Sequence, residues 1–122
     1  MTTPLVRIVD DDADARSSSS FFLSMMGLEI KEYESAQRFL DEDDMNRPGC
    51  IILDVCMPDM TGMELQVKLN QKNCRLPIIF LSGHGELDMA VHALKRGASD
   101  FLQKSAKPER LLAAAVSYTH LR

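Results

Sequence analysis

Five apolar runs alternate with five helical patterns along this chain, and that order limits the possible folds more than any other feature. "LVRIV" (Leu5–Val9) reads as a strand, while "CIILDV" (Cys50–Val55) and "PIIFLS" (Pro77–Ser82) have the continuous apolar character of strands buried on both faces. "LEIKEY" (Leu28–Tyr33) alternates apolar and polar residues like a half-exposed edge strand, and "SDFLQK" gives a last short one. The first helix starts near Asp12 with Phe22, Met25 and Met26 inward and Gly27 at its end; its serine run, Ser17–Ser20, needs tertiary packing to hold it. Ser35 caps the second helix, which carries Ala36, Phe39 and Leu40 on one face. Thr61 and Glu64 form a capping box at the third. Leu87, Val91 and Leu94 mark the fourth, with Gly97 as its stop; Pro108 opens the fifth, with Leu111, Leu112, Ala115 and Val116 inward. This order predicts an α/β fold with one five-stranded parallel sheet, helices on both faces and right-handed crossovers. With 122 residues and neither repeat nor linker, a single domain is expected.

Several function classes are excluded. The net charge of −4 argues against direct nucleic acid binding, which needs a basic face. No run reaches the ~18 apolar residues of a membrane span, and Met1–Val9 lacks the basic and apolar regions of a secretory signal. Cys50, Cys56 and Cys74 are odd in number and form no C-x-x-C, which fits reduced thiols in the cytoplasm.

Ligands of open parallel sheets bind beyond the carboxyl ends of the strands. The first strand ends on Asp10 and Asp11, the third on Asp54, the fourth on Ser82 and the fifth on Lys104; the second ends on Tyr33 and Glu34. Asp12 is expected to cap the first helix. Carboxylates about 5 Å apart repel by roughly 3 kcal/mol per pair at an effective dielectric of 20. A divalent cation relieves that repulsion, and an oxygen-only ligand set favours Mg²⁺ or Mn²⁺ over Zn²⁺. A carboxylate beside such a cation can act as a nucleophile on phosphorus. Lys104, Ser82 and backbone N–H groups would then face the phosphoryl oxygens, with Gly83 and Gly85 allowing close approach. No residue here would activate water strongly, so an acyl phosphate should persist as a signal.

With Asp10-Asp11, "ILDVCMPDMTG" around Asp54 and "FLSGHGELDMAVHALKRGASDFLQK" at this spacing, residues 6 to about 116 resemble the receiver domain of two-component response regulators, the CheY-like domain. The wording from the fourth strand onward is most similar to the nitrogen-fixation-regulator branch, the FixJ type. The resemblance implies a flavodoxin-like (βα)5 sandwich. It also implies a cytoplasmic protein whose only catalysis is its own phosphotransfer and slow dephosphorylation. Asp54 would accept a phosphoryl group from a histidine kinase. Asp11, Asp54 and the Cys56 carbonyl would hold Mg²⁺ (or Mn²⁺), with Asp10 acting through water. Ser82 would be the switch hydroxyl, Lys104 the phosphate lysine and Phe101 the switch aromatic. The branch usually carries a C-terminal helix-turn-helix output domain for transcription regulation, and such receivers often pair as homodimers through their fourth and fifth helices after phosphorylation.

The sequence departs from the family at Ser105, where a proline reached through a cis peptide usually follows the lysine; a trans peptide would aim Lys104 differently. A degenerate receiver that only binds partners is therefore a competing reading. An aspartate-nucleophile phosphatase is another, but Cys56 stands where its second acid is needed. No G-x-G-x-x-G follows the first strand, which argues against a dinucleotide site. Residues 117–122, "SYTHLR", leave the helical stripe and are expected to form an irregular tail outside a receiver domain of residues 1–116, of cloning origin or a natural short terminus. His84, His92 and His120 match no metal-site spacing, and Asp41–Asp44 reads as the solvated end of a helix.

Overall fold

The computed structural model of the chain describes residues 3–83 and 87–119. Strands β1 (Leu5–Val9), β2 (Glu29–Tyr33), β3 (Gly49–Asp54), β4 (Ile78–Ser82) and β5 (Asp100–Gln103) alternate with helices α1 (Ala13–Met25), α2 (Ala36–Glu42), α3 (Gly62–Gln71), α4 (Leu87–Lys95) and α5 (Pro108–Thr119). The strands form one parallel sheet in the order β2-β1-β3-β4-β5. The doubly wound five-stranded sheet read from the sequence is therefore the observed fold. One apolar layer packs Phe39, Leu65, Leu69 and Phe80 against one face of the sheet, and another packs Leu23, Leu111 and Ala115 against the other. β2 lies at an edge and is mostly exposed, as its alternation foretold.

The expected caps form. The Asp12 carboxylate accepts from the N–H groups of Asp14 and Ala15, and Ser35 accepts from that of Arg38. Thr61 and Glu64 close both halves of their capping box. Gly27 follows α1 with φ +93°, a conformation glycine adopts without a Cβ penalty.

Packing expectations for α1 and α5 are corrected, and the buried face of α4, which the spacing left open, is defined. In α1, Leu23 is the buried residue; Phe22 is half-buried, while Met25 and Met26 lie 65% and 50% exposed at the helix end. In α4, the small residues Ala90 and Ala93 form the buried face, because alanines let the helix sit close to the core, and this turns Val91 and Leu94 outward. Helix α5 runs on to Thr119, so Ser117–Thr119 is helical rather than irregular: Thr119 is buried and its hydroxyl donates to Cys50 Sγ on β3 at 3.3 Å. Val116 points partly outward, and Ala114 takes a buried place. His84, Gly85, His120 and the tail beyond Thr119 lie outside the described residues.

The acidic run Asp41–Asp44 also divides. Asp43 is buried, and it is the partner of a fully buried arginine inside β1. Arg7 Nε donates to Asp43 Oδ2 and Oδ1 at 3.1 and 3.3 Å, while its Nη atoms donate to the carbonyls of Leu5 and Arg47. Tyr33 Oη and the Met45 N–H donate to the same carboxylate at 2.7 Å each. Burial by itself would raise the Asp43 carboxyl pKa, but the hydrogen bonds from Tyr33, Arg7 and Met45 outweigh it and hold it below the usual value.

Candidate functional site

The strand order reverses around β1 and β3: the chain steps from β1 outward to β2, then back across to β3. A crevice opens at such a point beyond the carboxyl ends of the strands. Asp10 stands one residue past β1, Asp54 ends β3, Ser82 ends β4 and Lys104 stands one residue past β5. Backbone bonds lock their spacing: the Asp10 N–H donates to the Tyr33 carbonyl at 3.1 Å, the Val55 N–H to Leu81 at 3.0 Å and the Lys104 N–H to Ser82 at 2.8 Å.

Asp10, Asp11 and Asp54 each bring one carboxylate oxygen to within 4.8 Å of the others. Asp10 and Asp54 are buried and Asp11 is exposed, so the cluster has a dry floor and an open side. Lys104 Nζ lies 3.2 Å from Asp10 Oδ2 and 3.3 Å from Asp54 Oδ2, bridging the two buried carboxylates. The Lys104–Ser105 peptide is trans, since no described peptide is cis, and the ammonium still reaches the cluster. Burial works to lower the Lys104 pKa, but the charges of Asp10 and Asp54 overcome it and raise it above its ordinary value. Asp54 moves furthest: burial first, then the adjacent Asp10 charge, push its carboxyl up to about 7, against the opposing pull of Lys104.

An octahedral Mg²⁺ sets neighbouring oxygens about 2.9 Å apart and opposite ones about 4.2 Å apart. Three carboxylate oxygens within 4.8 Å of one another, with hard oxygen donors only, are a ligand set that suits such an ion. The Cys56 N–H donates to Asp54 Oδ1 at 3.3 Å, which leaves Asp54 Oδ2 turned toward Lys104.

Ser82 is buried at the same sheet edge, one residue beyond the Asp54–Leu81 register pair. Phe101 is half-buried and pairs in register with Phe80, with ring centroids 6.1 Å apart. His92 lies exposed on α4.

Two residues that support the site were missed. Gly62, the first residue of α3, packs so closely under Asp54 that a Cβ there would lie 2.2 Å from the Asp54 carbonyl oxygen. The glycine after the Thr61 cap was a visible signal. Arg16 on α1 donates from Nη1 to the Asp10 carbonyl at 2.6 Å, and only its position one turn beyond the acidic run hinted at this.

Known proteins resemble the chain in sequence and in fold. Residues 6–116 match the profile described as "Response regulator receiver domain". The chain is 43% identical over 109 residues to the transcriptional regulatory protein TdiR of Thauera aromatica, covering 89% of this chain and 48% of that protein. It is 42% identical over 104 residues to the transcriptional regulatory protein FixJ of Rhizobium meliloti (strain 1021), covering 85% of this chain and 51% of that one. It thus spans about half the length of the curated relatives it matches. The crystal structure of FixJ-N superposes with a TM-score of 0.88 at 37% identity, covering 100% of this chain and 98% of that one. Matched along nearly its whole length in sequence and in fold, and carrying its acidic cluster and lysine where the strands end, the chain belongs to the response regulator receiver domain family.

Proposed function

We propose that the chain is a phospho-accepting switch, with Asp54 as the acceptor. The observation that carries this reading is the convergence of Asp10, Asp11 and Asp54 beneath a lysine that touches two of them. Asp10, Asp11, Asp54 and the Cys56 carbonyl would hold Mg²⁺ or Mn²⁺, which when bound would neutralise charge on the carboxylates and on the incoming phosphoryl group. Asp54 attacks through a carboxylate oxygen, forming an O–P bond as the P–N bond of a kinase phosphohistidine breaks and its electron pair returns to the imidazole. The Lys104 ammonium leaves its carboxylate partners for a phosphoryl oxygen, and the Ser82 hydroxyl turns toward another. The movement of Ser82 frees space for Phe101 to rotate inward. That rotation remodels the face of α4, β5 and α5.

The partners on this reading are a histidine kinase and a helix-turn-helix output domain of a transcription regulator in the cytoplasm. No helix among the described residues is long and apolar enough to cross a membrane. Exposed Met89, Val91 and Leu94 on α4 support pairing of two phosphorylated copies through that face. Beyond its own phosphotransfer and slow dephosphorylation the domain performs no catalysis.

Incubation with Mg²⁺ and acetyl phosphate, followed by intact-mass measurement, tests the reading. One phosphoryl group gained by the wild type and absent in Asp54→Asn is expected. Multiple turnover of a phosphate ester would indicate a phosphatase, and no modification would indicate a binding-only receiver.

A further inference from the structure

The carbonyl of Asp10 belongs to the peptide that joins Asp10 to Asp11, and therefore links two of the three clustered carboxylates. Arg16 Nη1 donates to that oxygen at 2.6 Å. Arg16 Nε pairs with Glu32 Oε1 at 3.2 Å near the end of β2, with the arginine side chain only 17% exposed. One planar guanidinium thus ties the first turn of α1, the tip of β1 and the end of β2 together.

The remaining groups of Asp10 are fixed from other directions. Its N–H donates to Tyr33, its Oδ1 accepts from the Asp12 N–H at 3.0 Å, and its carboxylate meets Lys104. Arg16 adds control of the peptide plane, which sets where both carboxylates leave the backbone. Among the described residues its partners are a carbonyl and Glu32, not the clustered carboxylates, so its charge offsets their repulsion without taking their lone pairs. Groups that orient ligands in this way change metal affinity by roughly 10- to 100-fold when lost.

We propose that Arg16 is a positioning residue that sets the cation affinity of the acidic site through the Asp10–Asp11 peptide. This rests on the reading that the cluster of Asp10, Asp11 and Asp54 binds a divalent cation.

The test titrates Mn²⁺ into the wild type, Arg16→Gln, Arg16→Lys and Glu32→Gln, following free ion by electron paramagnetic resonance. Arg16→Gln is expected to bind roughly tenfold more weakly, and Glu32→Gln about two- to threefold more weakly. Arg16→Lys should fall between them, because an ammonium keeps the charge but cannot span both acceptors. The Mg²⁺ concentration that half-saturates labelling by acetyl phosphate should shift by the same factors, with the rate at saturation held within about twofold. A purely architectural role would lower the melting temperature and leave Mn²⁺ affinity unchanged in the folded protein; that result overturns the proposal. Should Arg16→Gln fail to fold, an unchanged affinity in both Arg16→Lys and Glu32→Gln overturns it equally. A wild type that binds no Mn²⁺ would instead refute the reading of the acidic cluster itself.

Discussion

Removing the Asp43 side chain strips a buried guanidinium of its only side-chain acceptor among the contacts described. Arg7 has no exposed surface and the Asp43 side chain only 4%. In Asp43→Ala, Arg7 keeps the carbonyls of Leu5 and Arg47 but carries an uncompensated charge, while Tyr33 Oη and the Met45 N–H lose their acceptor. Breaking a buried pair from one side costs about 3–5 kcal/mol. Unfolding entropy of about 2.1 cal/mol/K per residue makes each kcal/mol worth roughly 4 °C in a chain of 122 residues. The expected fall in melting temperature is therefore about 12–20 °C near neutral pH, read by far-ultraviolet circular dichroism. The pair Arg7→Met/Asp43→Leu should recover at least half of that loss, because it removes both charges together. The pH dependence has a definite sign. A carboxyl held below its usual value contributes stability above the unfolded pKa, and that contribution disappears as pH falls through the folded pKa. The gap between wild type and Asp43→Ala should thus persist at neutral pH and narrow only below about pH 4. A loss under about 1 kcal/mol at neutral pH would refute the reasoning, since it is the size of one ordinary hydrogen bond.

Asp54 should behave in the opposite sense. Its folded pKa of about 7 lies above the unfolded value, so without metal its contribution is intact at low pH and is lost as pH rises through 7. Asp54→Asn is expected to melt several degrees above the metal-free wild type near pH 8, with the difference shrinking toward pH 5; a difference that stays flat across that range would contradict this. Gly62→Ala should cost about 1–3 kcal/mol and slow labelling by acetyl phosphate, because the new methyl must push the Asp54 backbone or α3 aside; wild-type melting and labelling in that variant would show the contact to be tolerant.

The strand and helix order was legible in the sequence because the apolar runs differ in pattern from the helical stretches and four of the five helices carry a visible start signal: Asp12, Ser35, the Thr61–Glu64 box and Pro108. Asp10, Asp11, Asp54 and Lys104 were legible because a parallel sheet brings its strand ends to one edge whatever the helices do. Helix faces were less so. Met25 and Met26 read as inward on α1, yet they stand exposed at the helix end and Leu23 is the residue that buries. The Arg7–Asp43 pair was hidden by distance: one partner interrupts an apolar strand and the other sits in an acidic run that looks solvated. A charge in mid-strand was the available clue, since a buried arginine needs a carboxylate from somewhere.

The residues proposed for chemistry stand at strand ends, whereas Phe21 and Met25 on α1 and Met89, Val91 and Leu94 on α4 present outer helix faces. On the proposed reading, substitutions on those faces would alter which proteins dock while leaving the strand-end groups in place. After gene duplication, two copies of such a domain can diverge in allegiance through a handful of outward side chains while inheriting the same inner apparatus, which gives insulated signalling routes a short evolutionary path.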